Sequence, residues 1–144
     1  MQAFRKPTRL RGASLLAGGL ALLSLVGVAQ AEIVVVASAK SPTMSLAKEQ
    51  VADAYLAKNP SVAPIDLPEA SPLREEFYTR VTGKSAAQVK SVWARLAFTG
   101  KAKPPKEAAN GAELKKLLAG APNAIGYMDK SEVDSSVKVL FTVQ

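Results

Sequence analysis

The residues most able to do chemistry stand in one run, Pro64-Ile65-Asp66-Leu67-Pro68-Glu69-Ala70-Ser71-Pro72-Leu73-Arg74-Glu75-Glu76-Phe77-Tyr78. The run reads as a short buried strand, a tight turn and a helix beginning at Ser71. Ser71 has the side chain of an N-cap, whose hydroxyl accepts from free amides of the first turn. Pro72 falls at the first helical position, where its missing N–H costs nothing. A helix start with free amides at the end of a strand is an anion site. Arg74 lies in the first turn, where the helix dipole disfavours a cation. Two readings explain it. Either an anion docks between Arg74 and the amides, or Arg74 pairs locally with Asp66, Glu69 or Glu75.

The elements that position this run belong to a chain that opens on a leader. Arg5, Lys6, Arg9 and Arg11 are followed by an apolar, uncharged stretch from Ala13 to Val28 and by Ala29-Gln30-Ala31. Basic, apolar and small residues in that order describe a secretory signal peptide, residues 1–31, with cleavage expected after Ala31. The alternative is an uncleaved anchor, but the run is short for a spanning helix of about 20 residues. No Cys stands at the cleavage site, so a lipoprotein is not indicated, and no stable membrane insertion is expected after cleavage.

Removing 31 of 144 residues leaves 113, a single domain over 32–144 large enough for a modest core. Four of the 19 Lys and Arg leave with the leader, so 15 remain against 12 Asp and Glu, and the formal charge falls from +7 to +3. A balance that mild, without aromatic residues interleaved among basic ones, gives no footprint for nucleic acid. The chain has neither Cys nor His. That excludes disulfides, cysteine chemistry, His-based triads and ordinary zinc sites, and no cofactor or metal site is expected. An enzyme would need a Ser–Lys dyad or a carboxylate pair. Glu75 and Glu76 are adjacent on a helix and point about 100° apart. No enzymatic or catalytic residue is assigned.

Glu32 to Ser38 is a β-branched run, a strand buried on both faces. Thr43 or Ser45 can cap a helix from Leu46 to Lys58, which Asn59-Pro60 ends. Ser61 to Leu67 is a short strand suited by its two prolines to an edge. Leu73, Phe77 and Val81 form the inward stripe of the helix after Ser71, with Gly83 as its stop. Ser85 and Gln88 form a capping box for a helix that turns Val89, Val92, Trp93 and Leu96 to one side. Trp93 at that spacing is core, not a ligand platform. Phe98 to Ala109 is a basic loop broken by Pro104-Pro105. Its Lys101, Lys103 and Lys106 either face an anion or partner, or are simply solvated. Asn110 starts a short helix with Leu114, Leu117 and Leu118 inward. Ala124 to Met128 is a strand whose Gly126 implies a close neighbour, and Val137 to Val143 is an alternating last strand. The expected fold class is α/β: a mostly parallel or mixed sheet of about four strands flanked by about four helices. Ligands of such sheets sit beyond the carboxyl ends of strands, which marks two exits, Ser38 to Ser45 and Glu69 to Arg74.

Val34 to Ser38, Leu46 to Leu56, Ala70-Ser71-Pro72-Leu73-Arg74-Glu75-Glu76-Phe77 and Asn123-Ala124-Ile125-Gly126-Tyr127-Met128 recur in an order that resembles the small phosphate ABC transporter substrate-binding-like proteins of the type II periplasmic binding protein superfamily. The resemblance covers nearly all of the chain after the leader. It implies one lobe of a two-lobed clam shell, periplasmic, that holds phosphate or a similar oxyanion. It makes Ser71 the anion-holding serine, with the Leu73 amide and Arg74 beside it. It makes Ser38, Ser41, Thr43 and Ser45 the facing loop. Full-length binders follow that serine with Gly and Thr and place their arginine before it; here Pro72 and Leu73 follow, and Arg74 comes after. The partners this implies are the oxyanion, an ABC transporter or sensor component, and a second copy of the chain supplying the missing wall of a homodimer. The alternative is a non-enzymatic accessory or protein-interaction domain that keeps the fold without a small ligand.

Overall fold

The computed structural model describes residues 31–144. Residues 1–30, which carry the expected signal peptide, lie outside them. The chain order is β1 (Ile33–Ser38), α1 (Lys48–Tyr55), β2 (Ala63–Asp66), α2 (Pro72–Thr82), α3 (Ala86–Phe98), β3 (Lys106–Glu107), α4 (Gly111–Ala119), β4 (Ala124–Asp129) and β5 (Val137–Thr142), with a 3-10 turn at Lys130–Glu132. The fold is α/β: one open, mixed sheet of five strands, ordered β3-β2-β4-β1-β5, with four helices.

Strands β3, β2 and β4 run parallel, with Ala63 opposite Ala124 and Ile65 opposite Lys106. β1 lies between β4 and β5 and is antiparallel to both. All six of its residues are buried, as a continuous β-branched run requires. Burial on both faces follows from a central position and carries no information on direction; of the two expected forms, mostly parallel or mixed, the sheet is mixed because β1 is antiparallel. The fifth strand, β3, is two residues long and sits inside the stretch expected to be only a basic loop. Two backbone pairings are too few to leave a mark in the sequence pattern.

The two faces of the sheet are covered differently. Gly126 faces α4, where a Cβ would stand 2.4 Å from Leu114 Cδ1. Side chains alternate along a strand, so Tyr127 points to the opposite face. There it joins Tyr55 of α1 and Phe77 and Tyr78 of α2. The Phe77 and Tyr127 rings stack with centroids 3.9 Å apart, and Tyr55 meets Phe77, Tyr78 and Tyr127 edge-on. Trp93 of α3 is buried and donates its indole N–H to the Tyr55 carbonyl at 2.8 Å.

The helix ends mostly follow local chemistry. Ser85 Oγ accepts from the Gln88 amide and Gln88 Oε1 accepts from the Ser85 amide, which completes the capping box of α3. Asn110 Oδ1 accepts from the Glu113 amide at the start of α4. Gly83 ends α2 at φ +70°. α1 is shorter than its sequence pattern. It starts at Lys48 because the Leu46 amide is drawn to the Leu140 carbonyl of β5, and Gln50, not Thr43 or Ser45, closes its first turn through the Ala47 amide.

Candidate functional site

The polar centre of the molecule is Asp66, the last residue of β2, 8% exposed. Its carboxylate is gripped by side chains of α2 and β4 and by the amide of the next residue. Oδ1 accepts from the Tyr127 hydroxyl at 2.6 Å and the Leu67 amide at 2.8 Å. Oδ2 accepts from the Tyr78 hydroxyl at 2.7 Å and from Arg74 Nε at 3.3 Å. A carboxylate offers about four lone-pair positions, and all are filled. Burial raises the phenol pKa of both Tyr78 and Tyr127, and the adjacent Asp66 charge raises each further. Both hydroxyls are therefore locked as donors. For Arg74, burial alone would lower the pKa, but the Asp66 charge and hydrogen bond outweigh it and hold the guanidinium positive.

Of the two readings of Arg74, the local pair is formed, and it is formed with Asp66 rather than Glu69 or Glu75. The pair uses only Nε. The guanidinium lies over the Tyr78 ring, 5.5 Å from its centroid. Its two terminal nitrogens make no hydrogen bond or ion pair among the described residues. Arg74 borders a cleft of about 520 Å³ at the carboxyl end of β2, together with Asp66, Glu69, Tyr78, Lys90 and Glu107. Lys90 and Glu69 are in direct contact across it, and that hydrogen bond holds the Glu69 carboxyl below its ordinary pKa.

Ser71 and Leu73 are half-buried and do not line the cleft. Ser71 takes the N-cap backbone conformation, but its hydroxyl accepts no capping bond. The Arg74 amide bonds the Ser71 carbonyl at 3.2 Å, and Pro72 has no amide to give. The Leu73 amide is one of the first-turn donors that a helix leaves without an internal partner.

The other expected wall is elsewhere. β1 is antiparallel to β4, with Val36 opposite Gly126, so Ser38 lies toward the amino ends of β2 and β4. Ser71 and Arg74 follow the carboxyl end of β2. Ser38, Ser41, Thr43 and Ser45 are therefore at the opposite end of the sheet from Arg74, and the two loops do not face each other. Ser38 Oγ and Ser41 Oγ are spent on local turns, accepting from the amides of Lys40 and Thr43. The small cleft that Ser41 and Thr43 border has no charged side chain in its lining. Sequence reasoning named Asp66 only as a counterion; its two tyrosine partners lie 12 and 61 residues away, beyond any spacing signal. Among the described residues no group of three or more Asp or Glu could hold a metal, and no helix is long and apolar enough to cross a membrane.

No protein-family model matches the sequence, and no curated protein is detectably similar to it. Solved structures do share its fold. One is a protein assigned as a phosphate ABC transporter substrate-binding protein, from Clostridium perfringens and with bound phosphate. It is 22% identical with a TM-score of 0.62, over 76% of this chain and 44% of that one. Another is an ABC-type phosphate transport receptor from Vibrio cholerae, 17% identical with a TM-score of 0.60, over 76% of this chain and 45% of that one. The chain spans less than half the length of either. The five-stranded mixed sheet and its helices thus share the fold of part of these two proteins.

Proposed function

We propose that this chain is a solute-binding module of the cell envelope that holds phosphate or a similar oxyanion at the carboxyl end of β2, with Arg74 as the anchoring cation. The observation that supports it most is the state of Arg74. Asp66 fixes the guanidinium through Nε, Tyr78 lies beneath it, and the terminal nitrogens are left for another acceptor at the edge of a cleft. A planar guanidinium held by one edge is organised to bind an oxyanion with the other. The Ser71 hydroxyl and the Leu73 amide stand at the adjoining helix start. The proposal assigns no catalytic role. It places the chain in the periplasm beside a transporter or sensor, as the shared fold and the expected leader suggest.

The charge of the cleft favours a second reading. Asp66, Glu69 and Glu107 border it against Arg74 and Lys90, so carboxylates outnumber cations. A single open lobe also leaves any anion in contact with water, where each charged contact is weaker. Both features suit an accessory domain that keeps the fold and binds another protein.

The two readings separate in a nuclear magnetic resonance titration of residues 32–144 with phosphate and, in parallel, sulfate. Oxyanion binding at this site is expected to move the Leu73 and Arg74 amides and the Arg74 Nε–H saturably. Shifts confined to Lys101, Lys103 and Lys106, or no saturable shift, would remove the anion assignment and leave the accessory-domain reading.

A further inference from the structure

A second concavity, about 690 Å³, lies on the other side of the Pro104-Pro105 segment from the Arg74 cleft. Its floor is apolar, built from Ala54 at the end of α1, Ile65 of β2, Trp93 of α3 and Leu117 of α4. Its border carries Lys101, Lys103 and Lys106, the amides Asn59 and Asn123, and no Asp or Glu. All three lysines are exposed, and their ammonium groups make no hydrogen bond or ion pair among the described residues. Three unpaired cations within six residues repel one another, and the Pro-Pro step stiffens the segment that carries them. Ligand pockets of this size are mostly apolar with a few placed polar groups that set orientation.

We propose that this groove is a binding site for an amphipathic organic anion, with an apolar body against Trp93, Leu117 and Ile65 and a carboxylate or similar acidic head on the lysine border. The lining sets the ligand's two ends separately. Trp93, Leu117 and Ile65 suit an apolar body, and the charged groups of the border, all lysines, select an acidic head, with the Asn59 and Asn123 amides beside them. The site is distinct from the Arg74 cleft, because the three lysines border the groove and not the cleft.

Trp93 is the chain's single tryptophan, so its emission reports on the groove directly. Residues 32–144 are titrated with decanoate below its micellar concentration and, separately, with decanol. Decanoate is expected to change Trp93 emission saturably, and decanol to bind markedly more weakly. The triple replacement Lys101→Glu, Lys103→Glu, Lys106→Glu should weaken decanoate by about tenfold or more at an unchanged melting temperature, with the corresponding Gln triple in between. Because Trp93 also borders the Arg74 cleft, the titration is repeated in excess inorganic phosphate, which should leave it unaltered. No saturable response, equal binding of decanol and decanoate, an undiminished affinity of the Glu triple, or displacement by phosphate would each overturn the proposal.

Discussion

The exits of β1 and β2 have similar composition and opposite organisation. Ser38 ends β1 and Ser41, Thr43 and Ser45 follow it; Glu69, Ser71 and Arg74 follow β2. At the β1 exit the Ser38 and Ser41 hydroxyls accept from amides two residues on and so build the turns they sit in. The long-range bonds there go to backbone: Lys138 donates its ammonium to the Ser41 carbonyl, and the Ala39 and Leu46 amides donate to the Ser136 and Leu140 carbonyls. After β2 the polar groups reach across the fold: Arg74, Tyr78 and Tyr127 converge on Asp66 from α2 and β4. Side chains that close their own turns hold the backbone and have little left for a ligand. Side chains drawn together from distant elements store polar capacity in one place, and there a terminal guanidinium remains uncommitted.

This contrast is broken most sharply at Asp66. Asp66→Ala strands a part-buried guanidinium and two buried tyrosine hydroxyls, and is expected to destabilise the domain by about 3 kcal/mol in denaturant unfolding. Asp66→Asn should cost less, because an amide keeps one acceptor. If Asp66→Ala costs no more than Ser41→Ala, the β2 exit is no more organised than the β1 exit.

The tyrosines give a second, spectroscopic test. All three tyrosines are buried and their phenol pKa values are raised, by burial first and then by neighbouring charge. A raised folded pKa stabilises while the unfolded phenol keeps its proton, below about pH 10. That stability is lost as pH rises toward the folded values. Tyrosinate absorbance should therefore be absent in the folded domain past pH 10 and appear together with unfolding. Gradual ionisation of Tyr78 or Tyr127 in the folded state would contradict the cage around Asp66.

The smallest effect sharpens the role of the helix start. Ser85→Ala removes a formed capping bond and should cost about 1 kcal/mol. Ser71→Ala removes none and should cost under about 0.5 kcal/mol, with melting temperature as the readout for both. A loss at Ser71 equal to that at Ser85 would mean that its hydroxyl caps α2 in solution.

Much of the fold was legible because its causes are local. The capping box at Ser85, the stop at Gly83 and the Asn110 start depend on atoms within a few residues. Gly126 signalled a close neighbour, and Leu114 is that neighbour. What was not legible is where strands run relative to one another. The direction of β1 and the two-residue β3 depend on pairings between segments far apart in the chain, and burial patterns are the same for either direction.

The sequence by itself determined the type of every α-helix and strand but β3, the absence of cysteine and histidine chemistry, and the concentration of ionisable groups between Asp66 and Arg74. Tertiary structure alone decided that Ser38 to Ser45 stands at the far end of the sheet, that Asp66 is enclosed by Tyr78 and Tyr127, and that Lys101, Lys103 and Lys106 border an apolar groove. The physical reason is range. Caps, turns and helix stripes are set by interactions a few residues long, whereas the neighbours of a charge are set by which strands pair, and that is settled only when the whole core is buried together.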